Sequence, residues 1–240
     1  MDTIQLLLLR PKKSKARPEP TAYADLLSDP YILIAAGAIW ISNLAFSMLE
    51  PSLPLWMIEN WGSTSTEQGM AFLPSSLAYM IGTNMFGFVS KYFGRWQCSL
   101  VGFLMIGICG LIIPFAQNIY HLIIPNAVLG LGLGLVDTNM FPMLGHIADL
   151  RHTNVYGSVY AIGDGAACLA FATGPFMAGP IVRYFGFRTM MTVMAVANLA
   201  FAPFMLIIKR LPDKVEDKQT LPKERSVVSV IDNVPEYIKN

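Results

Sequence analysis

Charge is scarce in this sequence. Only 14% of its 240 residues are charged and 54% are hydrophobic, against about 25% charged in an ordinary soluble domain. No Lys or Arg occurs between Arg17 and Lys91, nor between Arg95 and Arg151. A water-facing surface cannot be kept over such stretches, which excludes a soluble globular domain. The net charge of +1 gives no reason to expect a nucleic-acid partner. Cysteine is also sparse: Cys98, Cys109 and Cys168 fall inside apolar runs at spacings that match no metal site. Neither a disulfide framework nor a metal centre is expected, and the three read as packing residues. No cofactor motif survives inspection. Gly130-Leu-Gly-Leu-Gly134 looks like part of a nucleotide loop, but inside an unbroken apolar run its glycines serve close helix packing.

Long apolar runs fill the rest. Six of them, Tyr31–Met57, Gln68–Ser90, Trp96–Ala116, Ile119–Ile147, Val155–Val182 and Gly186–Ile208, are each long enough to cross a bilayer as a tilted helix. The fold class is therefore all-α, a polytopic membrane protein with six transmembrane helices over 31–208. Met1–Arg10 is apolar but too short to span and reads as the end of a preceding helix. A polar, flexible linker follows it to Ser28, so that 1–30 precede the bundle, and 209–240 form a polar, disordered tail. Within that tail Asp217 to Leu221 resembles an acidic-leucine sorting signal no better than chance would provide. All Lys and Arg residues but Arg183 and Arg188 fall on one side of this arrangement, which puts both termini in the cytoplasm.

Three acids lie well inside the spans: Glu50, Asp137 and Asp164. Asp137 and Asp164 occupy the two arms of a hairpin, Val136 to Pro180, and are expected to face each other across its turn. No basic residue of this chain lies at their depth, so an internal ion pair is excluded. Protonation, a cationic ligand or a basic group from elsewhere remain. Burial raises a carboxyl's pKa toward neutrality, as proton-coupled transport of cations requires. Their helical neighbours extend the pattern. Asn43 and Glu50 are seven residues apart and share a face; Phe72 and Tyr79 repeat that spacing with Ser75 and Ser76 between them; Asp164 and Phe171 repeat it again. Aromatic faces beside carboxylates suit an organic ammonium, although Phe72 and Tyr79 at this spacing also fit simple packing.

The stretch Asp149-Leu-Arg-His152, then Val155-Tyr-Gly-Ser-Val-Tyr-Ala-Ile162 and Asp164, resembles the vesicular amine transporters of the major facilitator superfamily. Asp29-Pro-Tyr-Ile-Leu-Ile-Ala-Ala-Gly37, Met48-Leu-Glu-Pro51, Phe72-Leu-Pro74 and Ile81-Gly-Thr-Asn84 are similar to the monoamine branch more than to the acetylcholine branch. Gly87 to Arg95 resembles the superfamily's loop between helices eight and nine. The resemblance implies the C-terminal half, helices seven to twelve, of a twelve-helix carrier, without cofactor and inactive without its N-terminal six-helix half. It implies an amine site at Glu50, Asn43, Tyr79, Phe72 and Phe171, and proton coupling at Asp137, Asp164 and Glu50. Asp164 would pair with a lysine of the other half, and an aspartate of that half would hold the amine. Three positions depart from the family: Phe171 stands in place of a tyrosine, Gly163 in place of an alanine, and Gly62 in place of a cysteine of an inter-loop disulfide.

The function implied is proton/monoamine antiport into acidic secretory or synaptic vesicles, with acetylcholine or another organic cation as the alternative cargo. An intramembrane aspartyl protease built on Asp137 and Asp164 is the reading of another class. It lacks that family's Gly-x-Gly-Asp pattern, because Ala161 stands where the first glycine belongs.

Overall fold

The computed structural model describes residues 23–151 and 156–209. The expected helix end Met1–Arg10, the linker up to residue 22, the turn residues 152–155 and the tail from residue 210 lie outside them. Among the described residues every regular element is helical: α1 Tyr23–Leu27, α2 Pro30–Trp61, α3 Ser65–Phe93, α4 Arg95–Ile112, α5 Ile119–Arg151, α6 Tyr156–Phe201 and α7 Met205–Ile208. A 3-10 turn, Ile113–Phe115, extends α4, and another, Ala202–Phe204, joins α6 to α7.

The boundaries follow local chemistry. Asp29 is extended (φ −79°, ψ 114°) and its carboxylate accepts from the Tyr31 N–H at 3.1 Å, while Pro30 supplies the first turn of α2. Thr64 and Glu67 form a reciprocal capping box at the start of α3. Gly186 (φ 83°, ψ 160°) interrupts α6 in a conformation that side chains other than glycine's resist, dividing it into arms 156–185 and 187–201. The break falls where the sixth apolar run was expected to begin. Pro30–Trp61, Arg95–Phe115, Ile119–Arg151 and the two-armed Tyr156–Ile208 are long and apolar enough to cross a membrane. With twenty-nine residues α3 has the length but not the apolarity, because Gln68, Ser75, Ser76, Thr83 and Asn84 dilute it. Six membrane-length rods result.

Their packing is organised around α5. Gly130 and Gly134 turn one side of it to α3, where a side chain at 130 would collide with the Ser75 carbonyl and one at 134 would lie 3.1 Å from that of Tyr79. Gly132, on the other side, packs against Gly102 of α4. The Gly130–Gly134 run is therefore a two-sided packing strip, as its apolar setting indicated. Asn126 adds a bond from its amide to the Ala71 carbonyl of α3 at 2.8 Å. The first arm of α6 lies along α2, where Ser47 donates to the Ala170 carbonyl at 2.9 Å; its second arm lies on α4, with Ala195 and Leu199 against Gly107.

One end of the bundle is basic. There Arg151 closes α5 and pairs with Asp29 at 2.6 Å, its guanidinium 5.0 Å from the Tyr31 ring centroid. Arg95 donates to the Pro142 carbonyl at 3.0 Å, and the Lys209 ammonium sits 5.0 Å from the Trp96 ring. Arg183 and Arg188 mark the opposite end. Three expectations need correction. The segment before α2 is not loose up to Ser28, because Leu26 of α1 is fully buried in the core. Lys209, expected to open the disordered tail, is held at the Trp96 ring. Cys98 and Cys109 are buried as packing residues should be, but Cys168 is exposed on α6.

Candidate functional site

Near mid-bundle, α2, α3, α5 and the first arm of α6 line a half-open cavity of about 300 Å³. Asn43 and Phe46 line it from α2, Ser75, Ser76 and Tyr79 from α3, Gly130 and Leu133 from α5, and Phe171 from α6. The glycine strip is what permits it: α3 can approach α5 at Gly130, so its serines and Tyr79 reach the same space as Asn43. Behind this wall stands Asp137. One carboxylate oxygen accepts from the Asn43 amide at 3.0 Å and the other from the Tyr79 hydroxyl at 3.3 Å, tying three helices together.

The hydrogen bonds leave the cavity with a single polarity. The Asn43 amide gives a proton to Asp137 and another to the Ile39 carbonyl (2.9 Å), so its carbonyl oxygen alone has capacity for a ligand. Ser75 and Ser76 both donate to the Phe72 carbonyl, at 2.8 and 3.3 Å, and Tyr79 donates to Asp137. Each hydroxyl can then only accept. Aromatic rings from Phe46, Tyr79 and Phe171 supply the remaining wall. A concave space of acceptors and π-faces, backed by a carboxylate, is built for a ligand that donates hydrogen bonds and carries positive charge.

The structure brings together Asn43, Tyr79, Phe171 and Asp137. Phe72 shares the α3 stripe but lies about one turn beyond Ser76, partly buried against the core rather than in the cavity. Glu50 is exposed and about 10 Å further along α2 than Asn43, at 1.5 Å per residue. Asp164 is exposed, without a hydrogen-bond or ion-pair partner among the described residues, and about 10 Å along α6 from Phe171 toward the basic end. Asp137 and Asp164 do not face each other, contrary to the hairpin expectation. Gly163 packs against Leu144, seven residues past Asp137, so the register of the two arms sets the acids at different levels. The dyad an aspartyl protease would share is not formed. Phe46 and Leu133 were not anticipated; Phe46, three residues after Asn43, was accessible from helical spacing alone.

A model of the Major Facilitator Superfamily matches residues 35–236. The Synaptic vesicular amine transporter of Rattus norvegicus is 48% identical over 216 residues, which are 89% of this chain and 42% of that protein. The Chromaffin granule amine transporter of Homo sapiens is 47% identical over 224 residues, 92% of this chain and 42% of that protein. The Vesicular acetylcholine transporter of Drosophila melanogaster is 32% identical over 222 residues, 89% of this chain and 38% of that protein. The chain thus spans about two fifths of the length of these curated relatives. By a match that runs through all six rods and every residue that lines the central cavity, this chain belongs to the Major Facilitator Superfamily.

Proposed function

We propose that the chain is the C-terminal half of a proton-coupled antiporter that loads cationic monoamines into acidic secretory or synaptic vesicles, with an N-terminal six-helix half as its partner. The basic end then faces the cytoplasm, with both termini, and the end carrying Arg183 faces the lumen. The observation that carries the reading is the acceptor-only, aromatic-walled cavity backed by Asp137. It suits a protonated amine and offers nothing to an anion.

The acids support the coupling. Asp164, Asp137 and Glu50 occupy three successive levels from the basic end to the opposite one, steps by which a proton and a cation can exchange places. Protonation from the lumen weakens a carboxylate's hold on the ammonium and releases it; deprotonation toward the cytosol resets the site. The two halves rock around this midplane site. The higher identity to the amine relatives than to the acetylcholine relative supports a monoamine over acetylcholine or another organic cation.

The test is uptake of a labelled monoamine into acidified vesicles holding this chain together with its N-terminal half. Glu50→Gln should abolish uptake driven by the pH difference, and an aromatic monoamine should compete with the label at lower concentration than acetylcholine. Uptake at the wild-type rate by the variant would sink the coupling assignment, and preference for acetylcholine would move the cargo to the alternative.

A further inference from the structure

A second cavity, of about 500 Å³, lies between α2 and the first arm of α6 at the end opposite the basic one. Its lining begins five residues past Phe46 on α2 and four past Phe171 on α6. Pro51, in its wall, follows Glu50 directly, and Pro175 is one turn beyond Phe171. Its charged groups are Glu59 of α2 and Arg183 of α6. Opposite charges on two rods around one space would be expected to close on each other, yet the only ion pair among the described residues is Arg151–Asp29. Both Glu59 and Arg183 line the cavity, unpaired with each other. Leu55 adds an apolar surface, and at Gly179 an added side chain would meet nothing within 4 Å, so the wall opens on free space there. The volume lies within the range of small-molecule sites, about 300–1,000 Å³.

We infer that this cavity is a second station for an aromatic ammonium, Glu59 holding the cation and the Arg183 guanidinium lying over the ring. The inference rests on the amine-carrier reading for its ligand but not for its geometry. A carboxylate is the natural partner of the ammonium, and guanidinium stacks on aromatic faces. The facing charges leave the mouth neutral overall, so the station holds an amine in passage without competing with the carboxylate-backed central cavity. On the proposed orientation it lies on the lumenal side of the central cavity.

Gly179→Cys, introduced with Cys168→Ala, tests this in vesicles holding the assembled carrier. The new thiol stands in open space, Cys98 and Cys109 are buried, and a membrane-permeant fluorescent maleimide reads its accessibility. Phenylethylamine should slow labelling at residue 179. Adding Glu59→Gln should raise the half-protecting concentration about tenfold, the scale of a hydrogen bond to a charged group, and Arg183→Gln should raise it less. Protection that is absent, or that Glu59→Gln leaves unchanged, overturns the station. Monoamine uptake by the same vesicles separates the two readings: uptake without protection removes the station alone, whereas protection without uptake keeps the station and removes the carrier.

Discussion

Gly130 decides whether the central cavity exists at all. A Cβ at this position would sit on the backbone carbonyl of Ser75, which belongs to the facing rod and cannot swing away as a side chain would. Gly130→Ala therefore has to separate α3 from α5, and with them Ser76 and Tyr79 from Leu133 and Asp137. The expected destabilisation is about 1–3 kcal/mol, the usual cost of overpacking, together with loss of the Tyr79–Asp137 bond. Gly69→Ala is the matched control, since nothing lies within 4 Å of its added carbon and alanine favours a helix. Thermal unfolding of the two variants in detergent should show a lowered midpoint for the first only; equal midpoints would mean that the close approach does not matter. The acids obey the same logic of position. Asp137 is the centre of a three-helix knot because Asn43 and Tyr79 reach it, whereas Glu50 and Asp164, at different levels, find no partner among the described residues.

At the scale of elements, the capping box of α3 carries a prediction that depends on pH. The Thr64 backbone N–H, bonded at 2.8 Å, and its hydroxyl, at 3.0 Å, hold the Glu67 carboxyl below its usual value of 4.5. A carboxylate whose pKa is depressed by folding stabilises the fold above its unfolded value and loses that contribution as pH falls through the folded one. The start of α3 should therefore keep its cap in mildly acidic solution and lose it only below the ordinary carboxylate range. Thr64→Ala should cost about 1 kcal/mol near neutrality and progressively less below pH 4.5, measured as the difference in unfolding midpoint across a pH series; a difference independent of pH would overturn the role given to Glu67. Elements like this one were largely legible in the sequence. Apolar runs locate the six rods, Gly186 marks the break between the last two, and the closely spaced Gly130, Gly132 and Gly134 mark helix contact, whereas Gly69, Gly165 and Gly179 stand in open space. What was not legible is level. The seven-residue spacings point to groups on one side of a helix, but each covers about two turns, more than a 300 Å³ cavity spans. Asn43 and Asp137 are ninety-four residues apart and meet only because α2 and α5 pack in one register. The misreading of Asp137 and Asp164 as partners has the same origin, since the offset between α5 and α6 comes from Leu144 filling the notch at Gly163.

At the scale of the whole molecule, one face of the bundle is unfinished as a membrane surface. Glu50, Asp164 and Phe171 are exposed along it, and the two carboxylates find no partner among the described residues. An ionisable side chain within a membrane span is costly unless it faces protein or water, so on the proposed reading this face is covered by the N-terminal half. The relatives, of which the chain spans about two fifths, are long enough to contain such a half. Two consequences separate a partnered face from a merely tolerant one. First, the 240-residue chain by itself should give no proton-driven monoamine uptake, and co-expression with the N-terminal six-helix half should restore it. Second, Asp164→Asn should act in opposite directions in the two settings. Alone, the neutral side chain lowers the cost of an uncovered face, and the yield of membrane-inserted chain should rise. In the assembled carrier, on the proposed reading, the same change removes a charge facing the other half, and uptake should fall while the chain remains inserted. An increase in both settings would mean that Asp164 faces lipid even in the carrier, and uptake by the isolated chain would mean that these six rods suffice.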